Sequence, residues 1–98
     1  MNESTRIPPP FNKPIIAILI RRITVSNGIW ILRFENFQLE VPNPNSFEVL
    51  RFLNTEWING YSQPIKVEII HFSNLSAINI LKSDPLYNKY LVYQVMNS

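Results

Sequence analysis

Two runs rich in β-branched residues, Ile15 to Ser26 and Ile29 to Val41, are separated only by Asn27-Gly28. Both central residues of a type I′ turn need positive φ, and Asn-Gly is the dipeptide that supplies it most readily, so the pattern predicts a β-hairpin. A two-residue turn would set Ser26 against Ile29, Val25 against Trp30, Ile23 against Leu32 and Arg21 against Phe34 on one face. The opposite face would pair Thr24 with Ile31 and Arg22 with Arg33. In the second run the apolar parity changes from Trp30, Leu32 and Phe34 to Phe37, Leu39 and Val41. A one-residue slip sends side chains to the other face, so Glu35-Asn36 is expected to be a bulge or a second tight turn.

Pro42-Asn43-Pro44 ends this β region, and Asn45 with Glu48 has the spacing of a capping box that opens a helix reaching about Asn59. Phe47, Leu50, Leu53 and Trp57 recur at helical spacing and are its expected buried stripe, with Glu48, Arg51, Thr55 and Glu56 in water. Gly60 supplies the stop. Ile65 to Phe72 alternates as a strand. The stretch 75–82 fits a helix face through Leu75, Ile78 and Leu81 and a strand through Ile78 and Ile80, and the two are not separable by periodicity. Tyr90 to Met96 reads as a last strand, although Tyr87, Tyr90 and Tyr93 would share a helix face. The expected class is therefore α+β, a small mainly antiparallel sheet in the order β-β-α-β-(α or β)-β with one main helix on a face. The proline-rich start (Pro8, Pro9, Pro10 and Pro14) favours an extended arm over 1–13, leaving 14–98 as a single domain.

Composition narrows the chemistry. The 98 residues include no cysteine, which excludes disulfides, thiolate ligands and thiol catalysis. The apolar run Ile15–Ile20 ends at Arg21-Arg22, too short to cross a bilayer, and Glu3 followed by prolines is the wrong order for a secretory signal, so the expected location is the cytoplasm with no membrane partner. Nine basic and seven acidic residues leave a net charge of only +2, a thin footprint for a phosphate-binding surface.

The single histidine, His71, has neither thiolate nor second imidazole to join it at a metal, and no nucleophile elbow accompanies it. Carboxylates are scattered singly, and the two glycines, Gly28 and Gly60, are spent on turns, so no phosphate-cradling loop exists. No catalytic residue, metal ligand or cofactor is expected. What conflicts with plain folding is Arg22 facing Arg33, because like charges opposite one another cost some tenths of a kcal/mol. Glu35 or Glu68 would neutralise them; otherwise the pair awaits an external anion, a phosphate backbone or an acidic partner, which the planar guanidinium suits.

Three functional classes follow. The leading expectation is a non-enzymatic protein–protein interaction module, self-associating or accessory to a larger assembly, with Ile70, Phe72, Tyr90 and Tyr93 as interface residues. The alternative is a small RNA- or DNA-binding domain using Arg22 and Arg33 with exposed aromatics. The third is an enzyme whose groups converge without leaving a motif.

Overall fold

The computed structural model describes residues 13–24, 28–70 and 75–97. Among these, β1 (Ile15–Thr24), β2 (Trp30–Phe34), β3 (Gln38–Val41), α1 (Glu48–Ile58), β4 (Ile65–Ile70), β5 (Ala77–Ile80) and α2 (Tyr87–Met96) follow one another along the chain. The strands form one antiparallel sheet in the order β3-β2-β1-β4-β5. The class is α+β, as the sequence implies.

β1 is the shared strand. Its first half pairs with β4, from Ile15 opposite Ile69 to Leu19 opposite Ile65, and its second half pairs with β2, from Arg21 opposite Arg33 to Thr24 opposite Trp30. The register shifts between Leu19 and Arg21, leaving Ile20 as the extra residue of a β-bulge. A bulge changes which parity faces the core. Ala17 and Leu19 are buried ahead of it, and Arg22, opposite the buried Leu32, comes onto that same side beyond it.

The inner face of the sheet carries Leu19, Leu32, Phe34, Ile65, Val67 and Ile69, and α1 covers it with Val49, Leu50, Phe52 and Leu53. Phe52 was not in the expected stripe, and Phe47 and Trp57 are only half-buried. α2 lies antiparallel to α1: Glu48 at the start of α1 accepts hydrogen bonds from Tyr90 (3.4 Å) and Gln94 (3.2 Å), while Glu56 near its end meets Lys89 at 2.9 Å. Glu56 is therefore 6 % exposed and ion-paired rather than wet.

The first hairpin departs from the two-residue turn. Thr24 opposite Trp30 encloses the odd number of positions 25–29, so the pairs of Arg21 to Thr24 are each displaced by one from the expected register. Gly28 has φ +74, the left-handed geometry that closes an odd-length connection; Asn27 lies outside the described residues. Ile23 consequently faces Ile31 on the outer side of the sheet instead of the core. At Glu35-Asn36 the tight turn forms, closed by the Phe34 amide donating to Phe37 at 2.8 Å, and it separates β2 from β3.

The capping box does not form. Pro44–Ser46 makes a single 3-10 turn with proline at its start, Phe47 is the N-cap of α1 without a side-chain bond, and Glu48 is used by α2. At the other end Gly60, φ +101, donates to Trp57 at 3.0 Å and Tyr61 donates to Glu56 at 2.9 Å, the bond pair of a Schellman stop. Segment 77–80 resolves as strand because β4 offers it a ladder, and Tyr87–Met96 is helical rather than a strand because Tyr90 and Tyr93 then meet Phe52 together, with centroids at 5.2 and 5.3 Å. The expected arm over 1–13 falls almost wholly outside the described residues.

Asp84, 5 % exposed and in the connection between β5 and α2, ties the start of β4 to the start of α2 by accepting from the Lys66 amide at 2.8 Å and the Leu86 amide at 2.9 Å. Removing it strands two donors, each costing about 1–3 kcal/mol when left unpaired in a buried place. Asp84→Ala is expected to lower the unfolding free energy by roughly 2 kcal/mol or more in urea denaturation, and Gly60→Ala by about 1–2 kcal/mol, because a Cβ is disfavoured at that φ.

Candidate functional site

Beyond Leu19 the strand β1 has outrun β4, which begins at Ile65, so among the described residues the β4 side of residues 20–24 has no strand neighbour. The chain entering β4 has peeled away to the end of α1, and the Schellman stop at Gly60 turns Tyr61 and Ser62 toward this gap. The result is a cleft of about 420 Å³ lined by Ile20, Arg21, Arg22, Trp57, Tyr61 and Ser62.

Arg22 is the ordered cation of this cleft. Its guanidinium carbon lies 4.7 Å from the Trp30 ring centre and 5.3 Å from that of Trp57, and the two indoles meet edge to face at 6.2 Å and 61°. Nη1 donates to Oδ1 of Asn54. Two aromatic faces and an amide hold the planar group in place without neutralising it, and among the described residues no carboxylate forms an ion pair with it. Arg21, one position along, is exposed. Tyr61 has its phenol pKa raised, first by burial and then by the carboxylates of Asp84 and Glu56, so it stays a neutral hydrogen-bonding group at the cleft wall.

The expected Arg22–Arg33 pair is not formed. Arg33 stands opposite Arg21 on the outer face, while Arg22 stands opposite Leu32 and turns to the helix side. The odd-length connection at the first hairpin is the cause. A like-charged cross-strand pair does exist, and its members are Arg21 and Arg33, both exposed. Among the described residues no group of three or more His, Asp or Glu is placed to hold a metal ion.

Of the expected interface residues, Ile70 lies on the outer face of the sheet and is 36 % exposed. That face also carries Ile16, 69 % exposed, the half-buried Ile18, Ile23 and Ile31, and the charges Arg21, Arg33, Lys66, Glu40 and Glu68. The described helices lie on the other side, against the inner core. Tyr90 is buried and Tyr93 half-buried in the seam between α1 and α2, where both pack on Phe52. Phe72 and His71 lie outside the described residues. Trp57, Tyr61 and Ser62 were not legible as site residues; the signal available was the Arg21-Arg22 doublet interrupting an apolar strand.

Burial, and then the Glu48 carboxylate that accepts its hydrogen bond, push the Tyr90 phenol up to about 12 from an ordinary 10.0. Its proton is held more tightly in the folded chain, so the stability linked to it is fully present below pH 10 and is lost as pH rises from there toward 12. Phenolate absorbance is expected to show a late-titrating component that disappears in Tyr90→Phe, and the fall in unfolding free energy over that alkaline window should shrink in the same variant.

Comparison with known proteins finds no matching family model, no significantly similar curated protein and no significantly similar solved structure.

Proposed function

We propose that this chain is a non-enzymatic, cytoplasmic protein-association module that pairs with a second copy of itself through the outer face of its sheet. The observation that carries this reading is the isoleucine surface of β1, β2 and β4, with Ile16 69 % exposed and Ile70 36 % exposed and no described helix over it. An antiparallel sheet with one solvated side ordinarily alternates apolar and polar residues cleanly. Here the outer positions of β1 before the bulge are Ile16 and Ile18, and Ile23 follows beyond it.

A second copy fits this face because its charges are of both signs. Arg21 and Arg33 stand together beyond the end of the β1–β4 ladder, Glu40 on β3 lies diagonal to Arg33, and Glu68 on β4 stands opposite Ile16 toward the other end of the face. A twofold rotation can bring the arginine pair of one subunit to a carboxylate of the other, which makes the surface self-complementary in the way a closed dimer requires. It also relieves the repulsion between the two arginines. Nucleic-acid binding has less support, since Tyr90 and Tyr93 face inward and Arg22 is stacked between tryptophans.

Light scattering coupled to size-exclusion chromatography is expected to give a mass near twice 11.5 kDa at micromolar concentration. The double variant Ile16→Lys/Ile70→Lys should run as a monomer with an unchanged helical and strand signal in circular dichroism. Burying one aliphatic side chain is worth about 1.5–3 kcal/mol, so the dimer should weaken at least tenfold. A wild-type chain that stays monomeric throughout a concentration series, by mass and by scattering, would overturn the reading.

A further inference from the structure

We infer that the cleft beside the free half of β1 is a second docking site, one that takes an extended acidic peptide segment as an added strand. It is separate from the outer face and does not rest on self-association there.

The backbone supplies the first argument. Residues 21–24 of β1 pair with β2 on one side only, so the amide and carbonyl groups directed to the other side meet no strand among the described residues. Four residues of strand span about 13 Å, enough for a short peptide to form a ladder. The bulge at Ile20 falls beside the start of β4, where such a feature adds local twist to the strand that carries the open edge.

Charge supplies the second. Arg22 is the cation on the cleft's inner wall, held flat by Trp30, Trp57 and Asn54 without an ion-pair partner among the described residues, while Arg21 borders the cleft from the strand that turns its side chain to the outer face. A carboxylate arriving from the open side would gain a two-pronged contact with a group that has already given up its rotational freedom. Alternate side chains of the same peptide would lie against Ile20 and the exposed edge of Trp57, with Tyr61 and Ser62 offering hydroxyls at the rim. An RNA strand is less suited. The indole faces that could stack on bases are engaged by Arg22, and two arginines are a small counter-charge for a phosphate backbone.

The test is a fluorescence titration of the full chain with a synthetic peptide alternating Val and Glu, read through the indoles of Trp30 and Trp57. Three comparison ligands accompany it: the same peptide with Lys for Glu, the same peptide N-methylated at alternate backbone positions, and a single-stranded oligonucleotide of mixed sequence. The Val/Glu peptide should bind, at least tenfold more tightly than either modified peptide and more tightly than the oligonucleotide. Arg22→Gln should weaken it at least tenfold. Because Arg22 also packs, Ser62→Glu at the exposed rim provides a second variant, expected to melt like the wild type and to weaken the peptide severalfold by repulsion. Ile16→Lys/Ile70→Lys should bind the peptide as the wild type does, which keeps this result distinct from the oligomeric state. Equal binding of the N-methylated peptide, equal binding of the Lys peptide, tighter binding of the oligonucleotide, or no change in Ser62→Glu would each overturn the proposal.

Discussion

The bulge at Ile20 is the constraint on which the rest of the molecule depends. β1 serves two neighbours, β4 over its first half and β2 chiefly over its second, with Leu19 paired to both and the extra residue just beyond it. Without it the register set at the hairpin would run on unshifted, and Ala17 and Leu19 would no longer share a side with Arg22 and Leu32. With it, the hydrophobic side of the sheet continues through Ala17 and Leu19 and then accepts one cation where the core thins toward the hairpin end. That cation is tolerable there because its flat faces lie on indoles and its edge donates to Asn54, while the remaining edge stays near solvent.

Buried carboxylates do the work of holding the two layers in register. Asp84, at the junction of β5 and α2, satisfies two backbone amides, and Glu56 pairs with Lys89 across the helix seam. Glu48 does the same at the far end of the seam with Tyr90 and Gln94. None of these is a surface decoration. Together they fix α2 antiparallel to α1, and that placement directs Tyr90 and Tyr93 onto Phe52 and, among the described residues, leaves no helix on the outer side of the sheet. The open isoleucine face is thus a consequence of where the polar groups anchor the second helix.

Some short-range signals decide their own outcome, while others, the Asn27-Gly28 turn length and the Asn45/Glu48 capping box among them, give way to the surrounding fold. Gly60 stops α1 because its left-handed φ closes two backbone bonds within the same turn, and Glu35-Asn36 turns the chain because two flanking apolar parities disagree there. The β character of 15–24 and 30–41 and the helical stripe through Leu50 and Leu53 belong to the same class of information. These features, the α+β class and the lack of thiol chemistry are what the sequence by itself determined.

Tertiary structure decided the remainder. Segment 77–80 is equally good as helix or strand until β4 offers an edge, and Tyr87–Met96 becomes a helix because its tyrosines find Phe52, a long-range contact that decides between the strand pattern and the helical spacing of Tyr87, Tyr90 and Tyr93. The register of the first hairpin turned on one residue of loop length, and that single step exchanged Arg22 for Arg21 as the partner of Arg33. Side-chain parity has a period of two, so an error of one residue is the largest error a strand can make. The cleft is a product of the same step: its lining comes from β1, the end of α1 and the turn after it, which only the closed sheet brings side by side.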